Sequence, residues 1–426
     1  MKKVLIITYY WPPAGGPGVQ RWLKFVKYLR EFEIEPVLFI PKNPTYPITD
    51  KNLKREVPEN LQIIKRKIFE PYSLAGLFSK KETETISSGI IAEEQNQGLL
   101  QSLMLYIRGN FFIPDARKFW IKPSVRYLKN FLKTEDIDTV VTTGPPHSLH
   151  LIGLNLKKEL PIQWIADFRD PWTQIGYHSK LKLSKNAQNK HELFERKVLN
   201  TADKIIVTSH TTKAEFESKT KKPVFLITNG YDEVNFSETI VLDEKFSFSH
   251  IGSLLSGRNP KFLWESFREL IAEDAEFKKY FQLRLVGKVS PEVLRSIKEN
   301  KLEEYLELIP YVSHREALKL QRKSQVLLLL EMNSIETRGI IPGKIFEYLN
   351  AKRPILAIGP EKWDVQKILE ETGAGECFEY SEKEAVKVQL KKLFSDFKNG
   401  KLNSEPQNIA QYSRQMLTGK LVNLLR

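Results

Sequence analysis

The stretch IPGKIFEYL at residues 341–349 is followed, after a short polar turn, by the apolar run PILAI at residues 354–358. The first stretch predicts a short helix that opens with Pro-Gly-Lys, since proline is tolerated in a first helical turn, where its missing N–H group would have no partner. The second predicts a buried strand. A helix that leads directly into a strand is the repeating unit of a parallel α/β sheet.

The start of this helix is also a candidate anion site. Free N–H groups and the positive end of the helix dipole favour an anion, glycine at 343 leaves the backbone approachable, and Lys344 adds a full charge. Glu347 lies three residues later on the same face, where its carboxylate can accept hydroxyl hydrogen bonds. This pattern suits the diphosphate and ribose of a nucleotide. An ordinary surface helix with an ion pair between Lys344 and Glu347 stays open as the alternative.

Length and composition predict a globular protein with more than one core. The chain has 426 residues, of which 41% are hydrophobic and 28% charged. The single cysteine, Cys377, excludes an intramolecular disulfide and fits a reducing compartment. No apolar run reaches the roughly 18 residues of a membrane span. The apolar N-terminal stretch is too short for a signal peptide and is predicted to be the first strand of a cytoplasmic protein.

The positive charge is confined to one half of the chain. Residues 1–228 hold 36 Lys and Arg against 23 Asp and Glu, whereas the remainder holds 30 against 29. The first half is therefore the place where a polyanion or an anionic lipid surface would bind. Nucleic acid is not expected, because the sequence contains no metal-finger spacing, helix-turn-helix signal or RNA-binding aromatic motif.

Short β-rich runs alternate with helical stretches, which predicts two α/β halves. The predicted limits are an N-terminal domain at residues 1–228, a linker at 229–245, a second domain at 246–406 and a C-terminal helix at 407–426. A polar segment at 69–98 is predicted to be a long loop or a mobile insertion. The predicted strands are 4–8, 36–40, 61–64, 139–143, 163–167, 204–208 and 224–228 in the first half and 246–251, 282–286, 306–309, 325–330, 354–358 and 376–380 in the second.

Ligands of open parallel sheets bind beyond the carboxyl ends of the strands, so the loops that leave strands contain the candidate residues. The first such loop carries Gly15 and Gly16, but Arg21 stands where a dinucleotide fingerprint needs its last glycine. A dehydrogenase is therefore not supported, and the loop is either a backbone approach for a ligand or a structural turn. Later loops in this half contain His147 and the pair Arg169 and Asp170. For these three residues a capping or structural role stays open.

The loop after the first strand of the second half predicts a phosphate cradle. It runs from Gly252 through Ser253 to Arg258, whose guanidinium can make bidentate contacts with phosphate. Together with Gly343 and Lys344, two separate loops offer positive charge to one anion.

The order and spacing of these motifs over nearly the whole chain resemble the retaining glycosyltransferases of the GT-B fold, in the large family four. The motifs are the glycine loop, the sequence NGYD at 229–232, the loop 252–258 and the stretch PGKIFEYL at 342–349. The resemblance implies two Rossmann-like domains that face each other across a cleft, with the C-terminal helix crossing back to the N-terminal domain. It also implies transfer of a sugar, with retention of configuration, from a nucleotide-diphosphate sugar to a glycan or lipid-linked acceptor.

The resemblance assigns roles to individual residues. Glu347 would hold the ribose hydroxyls, Arg258 would contact the diphosphate, and Gly16 would approach it from the other domain. Lys344 and Arg258 would stabilise charge on the leaving diphosphate, and Asp170 would orient the acceptor or steady charge on the sugar. No metal or other cofactor is implied. The family's second glutamate, eight residues before Glu347, is replaced here by glycine, and Glu336 in the same loop is the candidate substitute.

The basic N-terminal half then suggests a surface for anionic lipid and a lipid-linked acceptor. Aromatic residues and cations are mixed at 108–113 and 118–122, although buried aromatics with solvated lysines explain the same pattern. The expected setting is cell-surface polysaccharide or glycolipid synthesis in the cytoplasm, with peripheral binding to the inner face of the plasma membrane as an option. A sugar-nucleotide epimerase and a non-catalytic nucleotide-sugar-binding protein remain as alternatives.

Overall fold

The computed structural model describes residues 1–70, 99–174, 181–234, 236 and 238–426. The chain forms two compact units, one of residues 1–229 and 414–426 and the other of residues 230–413. The loop predicted at 69–98 lies, from residue 71 onward, outside the described residues. Within the described ranges, no helix is both long and apolar enough to span a bilayer.

The first unit is built on a parallel sheet of seven strands in the order β3-β2-β1-β4-β5-β6-β7. The seven predicted strands are all present, with ends shifted by one or two residues. Side chains alternate between the two faces of the sheet, so that Val4 and Ile6 join one buried cluster and Leu5 and Ile7 join another. The strands are β1 Lys2–Ile7, β2 Ile34–Pro41, β3 Gln62–Arg66, β4 Thr139–Gly144, β5 Gln163–Phe168, β6 Lys204–Val207 and β7 Val224–Leu226.

Helices connect these strands and cover the sheet, as parallel pairing requires. They are Pro17–Leu29, Leu99–Phe111, Ile121–Thr134, Ser148–Glu159, Lys185–Thr201, His210–Lys219 and, from the other end of the chain, Arg414–Leu425. The last helix packs against the first, with Leu417, Leu421 and Val422 in the same buried cluster as Val19 and Leu23. The C-terminal helix therefore returns to the first unit, as the predicted fold class requires.

The second unit is built on a parallel sheet of six strands in the order β10-β9-β8-β11-β12-β13. All six were predicted. They are β8 Phe246–Ile251, β9 Phe281–Val286, β10 Leu306–Ile309, β11 Val326–Leu330, β12 Ile355–Gly359 and β13 Gly375–Glu379. The helices are Lys261–Glu273, Ala275–Tyr280, Pro291–Glu299, His314–Lys323, Lys344–Ala351, Asp364–Thr372 and Lys383–Lys398.

In each sheet the strand order reverses once, between β1 and β4 and between β8 and β11. Ligands of doubly wound sheets bind at these switch points, beyond the carboxyl ends of the strands. The predicted loops with Gly15 and with His147 follow β1 and β4, and the loop with Gly252 follows β8. The fold therefore brings most of the predicted loops to one switch point in each unit.

Candidate active site

The candidate site of the second unit begins with a close approach between the Gly252 backbone and the Lys344 side chain. Gly252 has a φ of +121°, and a Cβ atom at this position would lie 2.8 Å from Lys344 Nζ. Side chains rarely adopt this backbone conformation, and the ammonium group occupies the space that a side chain would need. Glycine is therefore required on both counts, and the lysine nitrogen lies directly over the loop that leaves β8.

Lys344 is the first residue of the helix Lys344–Ala351, and Gly343 is its N-cap. A Cβ atom at Gly343 would meet nothing within 4 Å, so the helix N-terminus is open in front of Lys344. Pro342 was expected in the first helical turn but precedes the N-cap. Its carbonyl group instead accepts a hydrogen bond from the Ile345 N–H group at 3.1 Å.

The ammonium group of Lys344 contacts His250, near the end of β8. Lys344 Nζ lies 3.1 Å from His250 Nε2, and His250 Nδ1 lies 3.1 Å from the carbonyl oxygen of Leu328 in β11. Burial, and then the charge of Arg258, lower the pKa of Lys344 to about 7, against the opposing effects of Glu331 and Glu347. Burial and the neighbouring Lys344 hold the pKa of His250 well below its usual value.

Arg258 is held by a carboxylate that the sequence analysis did not identify. Arg258 Nε donates to Glu331 Oε1 at 2.8 Å, and the Glu331 side chain is 0% exposed while that of Arg258 is 30% exposed. Glu331 directly follows β11, on the other side of the switch point from Gly252. The guanidinium group is therefore held by Glu331 through Nε, and the side chain is still exposed enough to contact an anion. A glutamate at the carboxyl end of an otherwise apolar strand was the available sequence signal.

Glu347 receives two hydrogen bonds from the neighbouring helix His314–Lys323. His314 Nε2 donates to Oε1 at 3.0 Å and Gln321 Nε2 donates to Oε2 at 3.0 Å. Glu347 thus has partners on the neighbouring helix, and its charge also acts on Lys344. A carboxylate is also the type of group that accepts hydrogen bonds from the hydroxyl groups of a ribose.

Two predicted donor-binding residues are more peripheral. Glu336 is exposed in the short 3-10 turn Ile335–Thr337, and among the described residues its carboxylate makes no hydrogen bond or ion pair with the group around Lys344. Ser253 is exposed, and its backbone raises the pKa of His250 against the effect of burial. The replacement of the family's second glutamate by Glu336 stays a prediction.

The two glycines of the first unit have different environments. A Cβ atom at Gly15 would lie 2.9 Å from Ile48, and the Gly15 N–H group donates to the Ile48 carbonyl oxygen at 2.8 Å. Gly15 is thus a packing position, which favours the structural alternative for this residue. Gly16 has a φ of +87°, caps the helix Pro17–Leu29 and has open space around it. Gly16 is the position where a ligand can approach the backbone.

Arg169 connects the loops that leave β4 and β5. It donates to the carbonyl oxygens of Gly144 and Pro145, lies over the ring of Tyr10, and occupies the space next to Gly18. Burial lowers the pKa of Arg169, and the charge of Asp170 opposes this effect. Burial raises the pKa of Asp170, and Arg169 opposes the rise. Arg169 and Asp170 therefore influence each other's pKa, and the hydrogen bonds of Arg169 give it a clear architectural role.

His147 caps the helix Ser148–Glu159 and stacks on Trp172, with ring centroids 4.7 Å apart. Trp172 in turn donates to His191 Nδ1 at 3.2 Å. The rings of His147 and Trp172 line a small cavity together with Arg108, Phe112 and Pro145. His147 thus has the helix-capping position of the structural alternative, and its ring also forms part of the cavity wall.

The sixth position of the rejected dinucleotide fingerprint is explained by packing. Arg21 forms a fully buried ion pair with Asp167 at 2.8 Å and donates to the Thr228 carbonyl oxygen at 2.9 Å. Trp22 and Thr143 also donate to Asp167, each at 2.8 Å. Burial alone would raise the pKa of Asp167, but the charge of Arg21 and these hydrogen bonds lower it. Arg21 is therefore a structural residue that the sequence analysis did not assign.

Comparisons with known proteins test the predicted fold and family. A model of the family described as Glycosyltransferase Family 4 matches residues 89–234. No match was found among curated protein sequences.

Three similar solved structures cover the whole chain. The lipopolysaccharide outer core galactosyltransferase WaaB has 12% identity and a TM-score of 0.60, with 100% of this chain and 99% of that chain covered. Sucrose-phosphate synthase from Thermosynechococcus elongatus has 13% identity and a TM-score of 0.58, with 100% and 98% covered.

The third is a mutant of S. aureus TarM in complex with Fondaparinux, alpha-GlcNAc-glycerol and UDP. It has 13% identity and a TM-score of 0.58, with 100% of both chains covered. At these identities the structures show a shared fold, which is GT-B. Over its whole length the chain therefore shares the fold class of the GT-B glycosyltransferases. Within that class it is similar to family four, as predicted from the sequence.

Proposed function

We propose that the chain transfers a sugar from a nucleoside-diphosphate sugar to a glycan or lipid-linked acceptor, with retention of configuration at the anomeric carbon. The observation that carries this proposal is the position of Lys344 over Gly252, with Arg258 anchored on Glu331 across the same switch point. Two cationic groups and an open helix N-terminus there suit a diphosphate. The complex of the similar TarM structure with UDP supports the choice of a nucleotide ligand.

The reaction needs little covalent chemistry from the protein. The bond between the anomeric carbon and the β-phosphate oxygen breaks, and its electron pair stays on that oxygen. The acceptor hydroxyl oxygen forms a new bond to the same face of the carbon, and its proton passes to the departing phosphate. Lys344, Arg258 and the N–H groups at the helix start stabilise the charge that grows on the diphosphate. No metal is needed for this role, because the two cations supply the positive charge.

The first unit is proposed to hold the acceptor near Asp170. A carboxylate with a pKa raised by burial and paired with Arg169 can orient a hydroxyl group or steady positive charge on the sugar. The nearby cavity beside His147 and Trp172 offers a ring surface for part of the acceptor. The role of Asp170 is a hypothesis that rests on its burial and on its position after β5, and the role of the cavity rests on its aromatic wall.

A lipid-linked acceptor would be met at a membrane surface on the cytoplasmic side. The helix Leu99–Phe111 exposes Leu103, Ile107 and Phe111 at intervals of four residues, which places them on one face. Next to it, Lys118 lies over the rings of Phe112 and Phe119. Apolar side chains among cations suit the headgroup region of an anionic bilayer. This surface supports peripheral binding in polysaccharide or glycolipid synthesis.

The test is a thermal-shift panel of nucleotide sugars, followed by analysis of products with the donor that stabilises the chain most. Transfer to an added glycan or lipid-linked acceptor, with the anomeric configuration retained by NMR, is the expected result. The same assay in EDTA should give the same rate. Conversion of the donor sugar without an acceptor would identify an epimerase instead. Binding without conversion in the presence of a range of acceptors would favour a non-catalytic binding protein.

A further inference from the structure

His250 connects the two central strands of the second sheet to the donor site. It lies in β8, two residues before Gly252, and is 1% exposed. One ring nitrogen faces Leu328 in β11 and the other faces Lys344, each at 3.1 Å. The imidazole is therefore placed between the sheet and Lys344, which reaches over Gly252.

The contacts with Leu328 and Lys344 together define the tautomer that we assign to the ring. A backbone carbonyl oxygen can only accept a hydrogen bond, so Nδ1 carries the proton. In a neutral ring Nε2 then has a lone pair directed at the Lys344 ammonium group. Burial and the adjacent Lys344 lower the pKa of His250 well below its usual value, which keeps the ring neutral at physiological pH. Lys344 therefore donates to a neutral acceptor with a fixed direction.

Lys344 needs such an acceptor because the charges of its other neighbours have opposing effects on its ammonium group. The charge of Arg258 repels the ammonium group, whereas Glu331 and Glu347 attract it. A lysine side chain is also flexible and gains entropy when it is released. Gly252 leaves room for the ammonium group but supplies no side chain to hold it. His250 is the neighbour whose hydrogen bond selects this one position.

We propose that His250 is a positioning residue, which holds the Lys344 ammonium group over Gly252 where the diphosphate of the donor binds. The inference rests on the proposed function, since it assigns a purpose to the position of Lys344. In this role His250 supports the groups that would contact the ligand and does not contact the ligand itself. A merely structural histidine would matter for stability but not specifically for the binding of a diphosphate.

Two substitutions separate these roles. In His250→Asn the amide can still donate to the Leu328 carbonyl oxygen but is too short to reach Lys344. In His250→Gln the longer side chain can place an acceptor oxygen near the position of Nε2. The probe is inorganic pyrophosphate, which carries the charge of the donor without a base or a sugar, and its affinity is measured by titration at one pH. Lys344→Met is the positive control, and Lys367→Met, on an exposed lysine of the helix Asp364–Thr372, is the negative control.

We expect His250→Asn to weaken pyrophosphate binding about tenfold, the size of one lost hydrogen bond to a charged group. His250→Gln should bind close to the wild-type level, and Lys367→Met should match the wild type. Wild-type affinity in His250→Asn would overturn the inference. The inference would also be overturned if both His250 variants lost pyrophosphate affinity equally and in proportion to their loss of melting temperature. If Lys344→Met binds as well as the wild type, or if the wild type does not bind, the proposed function itself is contradicted.

A measurement on the unmutated chain guards against poor folding of the variants. With ¹⁵N-labelled histidine side chains, the signal of His250 is identified by its shift in Lys344→Met. The inference requires a neutral ring with the proton on Nδ1 and an unprotonated Nε2. A proton on Nε2 in the ligand-free protein would leave no lone pair for Lys344 and would overturn the inference.

Discussion

At the scale of single residues, the approach of Lys344 to Gly252 makes a specific demand on the backbone. We predict that Gly252→Ala weakens the binding of nucleoside diphosphates at least about tenfold, because the methyl group displaces a charged donor of the site. The Cβ atom of an alanine at position 252 would lie 2.8 Å from Lys344 Nζ. Isothermal titration with UDP, GDP and ADP measures the loss.

The matched control for this prediction is Gly373→Ala. Gly373 also has a positive φ, of +62°, but a Cβ atom there would meet nothing within 4 Å. Gly373→Ala should cost about 1 kcal/mol of stability, because it places a side chain in the left-handed region, and Gly252→Ala should cost at least as much. If the two variants lose affinity equally, the close approach to Lys344 is not the cause.

The lowered pKa of Lys344, about 7 in the ligand-free chain, predicts that diphosphate binding depends on pH. A bound diphosphate favours the charged amine and so raises its pKa. The contribution of Lys344 is then complete below about pH 7 and falls as the pH rises from the free to the bound pKa, by up to about tenfold per pH unit. Above the bound pKa the contribution is lost.

The measurement is the ratio of wild-type to Lys344→Met affinity for UDP between about pH 6 and about pH 9. The ratio cancels the titration of the ligand itself. It should decrease with rising pH above neutrality. A ratio that stays constant over this range would mean that Lys344 does not titrate there.

The residue-scale features differ in how well the sequence predicts them. Lys344, Arg258 and Gly252 were identifiable, because a cation at a helix start and a glycine after a strand are local patterns. His250 and Glu331 were missed, because each acts through a neighbour that is distant in sequence. Arg258 and Glu331 are 73 residues apart, and Lys344 and His250 are 94 apart. Such pairs become visible only when the order of strands in the sheet is known.

At the scale of elements, all thirteen strands follow from the sequence. The central strands are short apolar runs buried on both faces, whereas the edge strands β3, β10 and β13 are only partly buried and keep a shorter β-rich signal. Element ends are less certain, as the helix start at Lys344 shows. From the sequence, Pro342 fits both the first turn of the helix and the position before the N-cap. Only the hydrogen bond that its carbonyl group accepts distinguishes these two positions. The short 3-10 turns, such as Ser256–Arg258, had no periodic signal to predict them.

The helix Leu99–Phe111 gives the prediction on membranes. We expect Ile107→Glu to reduce binding to vesicles of anionic lipid at least about fivefold, since it places a charge on the exposed apolar face. Ile107 is 40% exposed, so the substitution should not disturb the core. Vesicle sedimentation at rising salt is the measurement, and wild-type binding should fall as salt rises.

A comparable change in the second unit controls for added charge alone. Val388 is exposed on the helix Lys383–Lys398, and Val388→Glu should leave vesicle binding unchanged. Absence of vesicle binding by the wild type, or equal loss in both variants, would contradict a membrane surface at Leu99–Phe111.

At the scale of the whole molecule, the return of the C-terminal helix ties the two ends of the chain together. Leu421 is fully buried in the cluster around the first helix. We predict that Leu421→Ala destabilises the first unit by about 2–5 kcal/mol, through lost burial and a residual cavity. Denaturant unfolding monitored for each unit is the measurement. Lys420→Ala, at an exposed neighbour, should change little, and equal effects would show that Leu421 is not part of the core.

The division into two compact units also predicts a division of labour that kinetics can separate. Glu347→Ala should weaken nucleotide binding at least about tenfold, because its carboxylate is proposed to hold the ribose. Asp170→Asn should leave nucleotide affinity unchanged and lower the rate of transfer by about a hundredfold, since it acts on the acceptor or the reacting sugar. Gln321→Leu, which removes one hydrogen bond to Glu347, should share the phenotype of Glu347→Ala in weaker form.

The measurements are nucleotide dissociation constants and transfer rates at saturating donor. Unchanged nucleotide affinity in Glu347→Ala would remove this residue from the donor site. A parallel loss of affinity and rate in Asp170→Asn would place Asp170 with the donor instead. Because the two residues belong to different units, opposite patterns in the two variants would show that each unit holds one substrate. Such separate losses distinguish a transferase with two substrates from a binding protein with one.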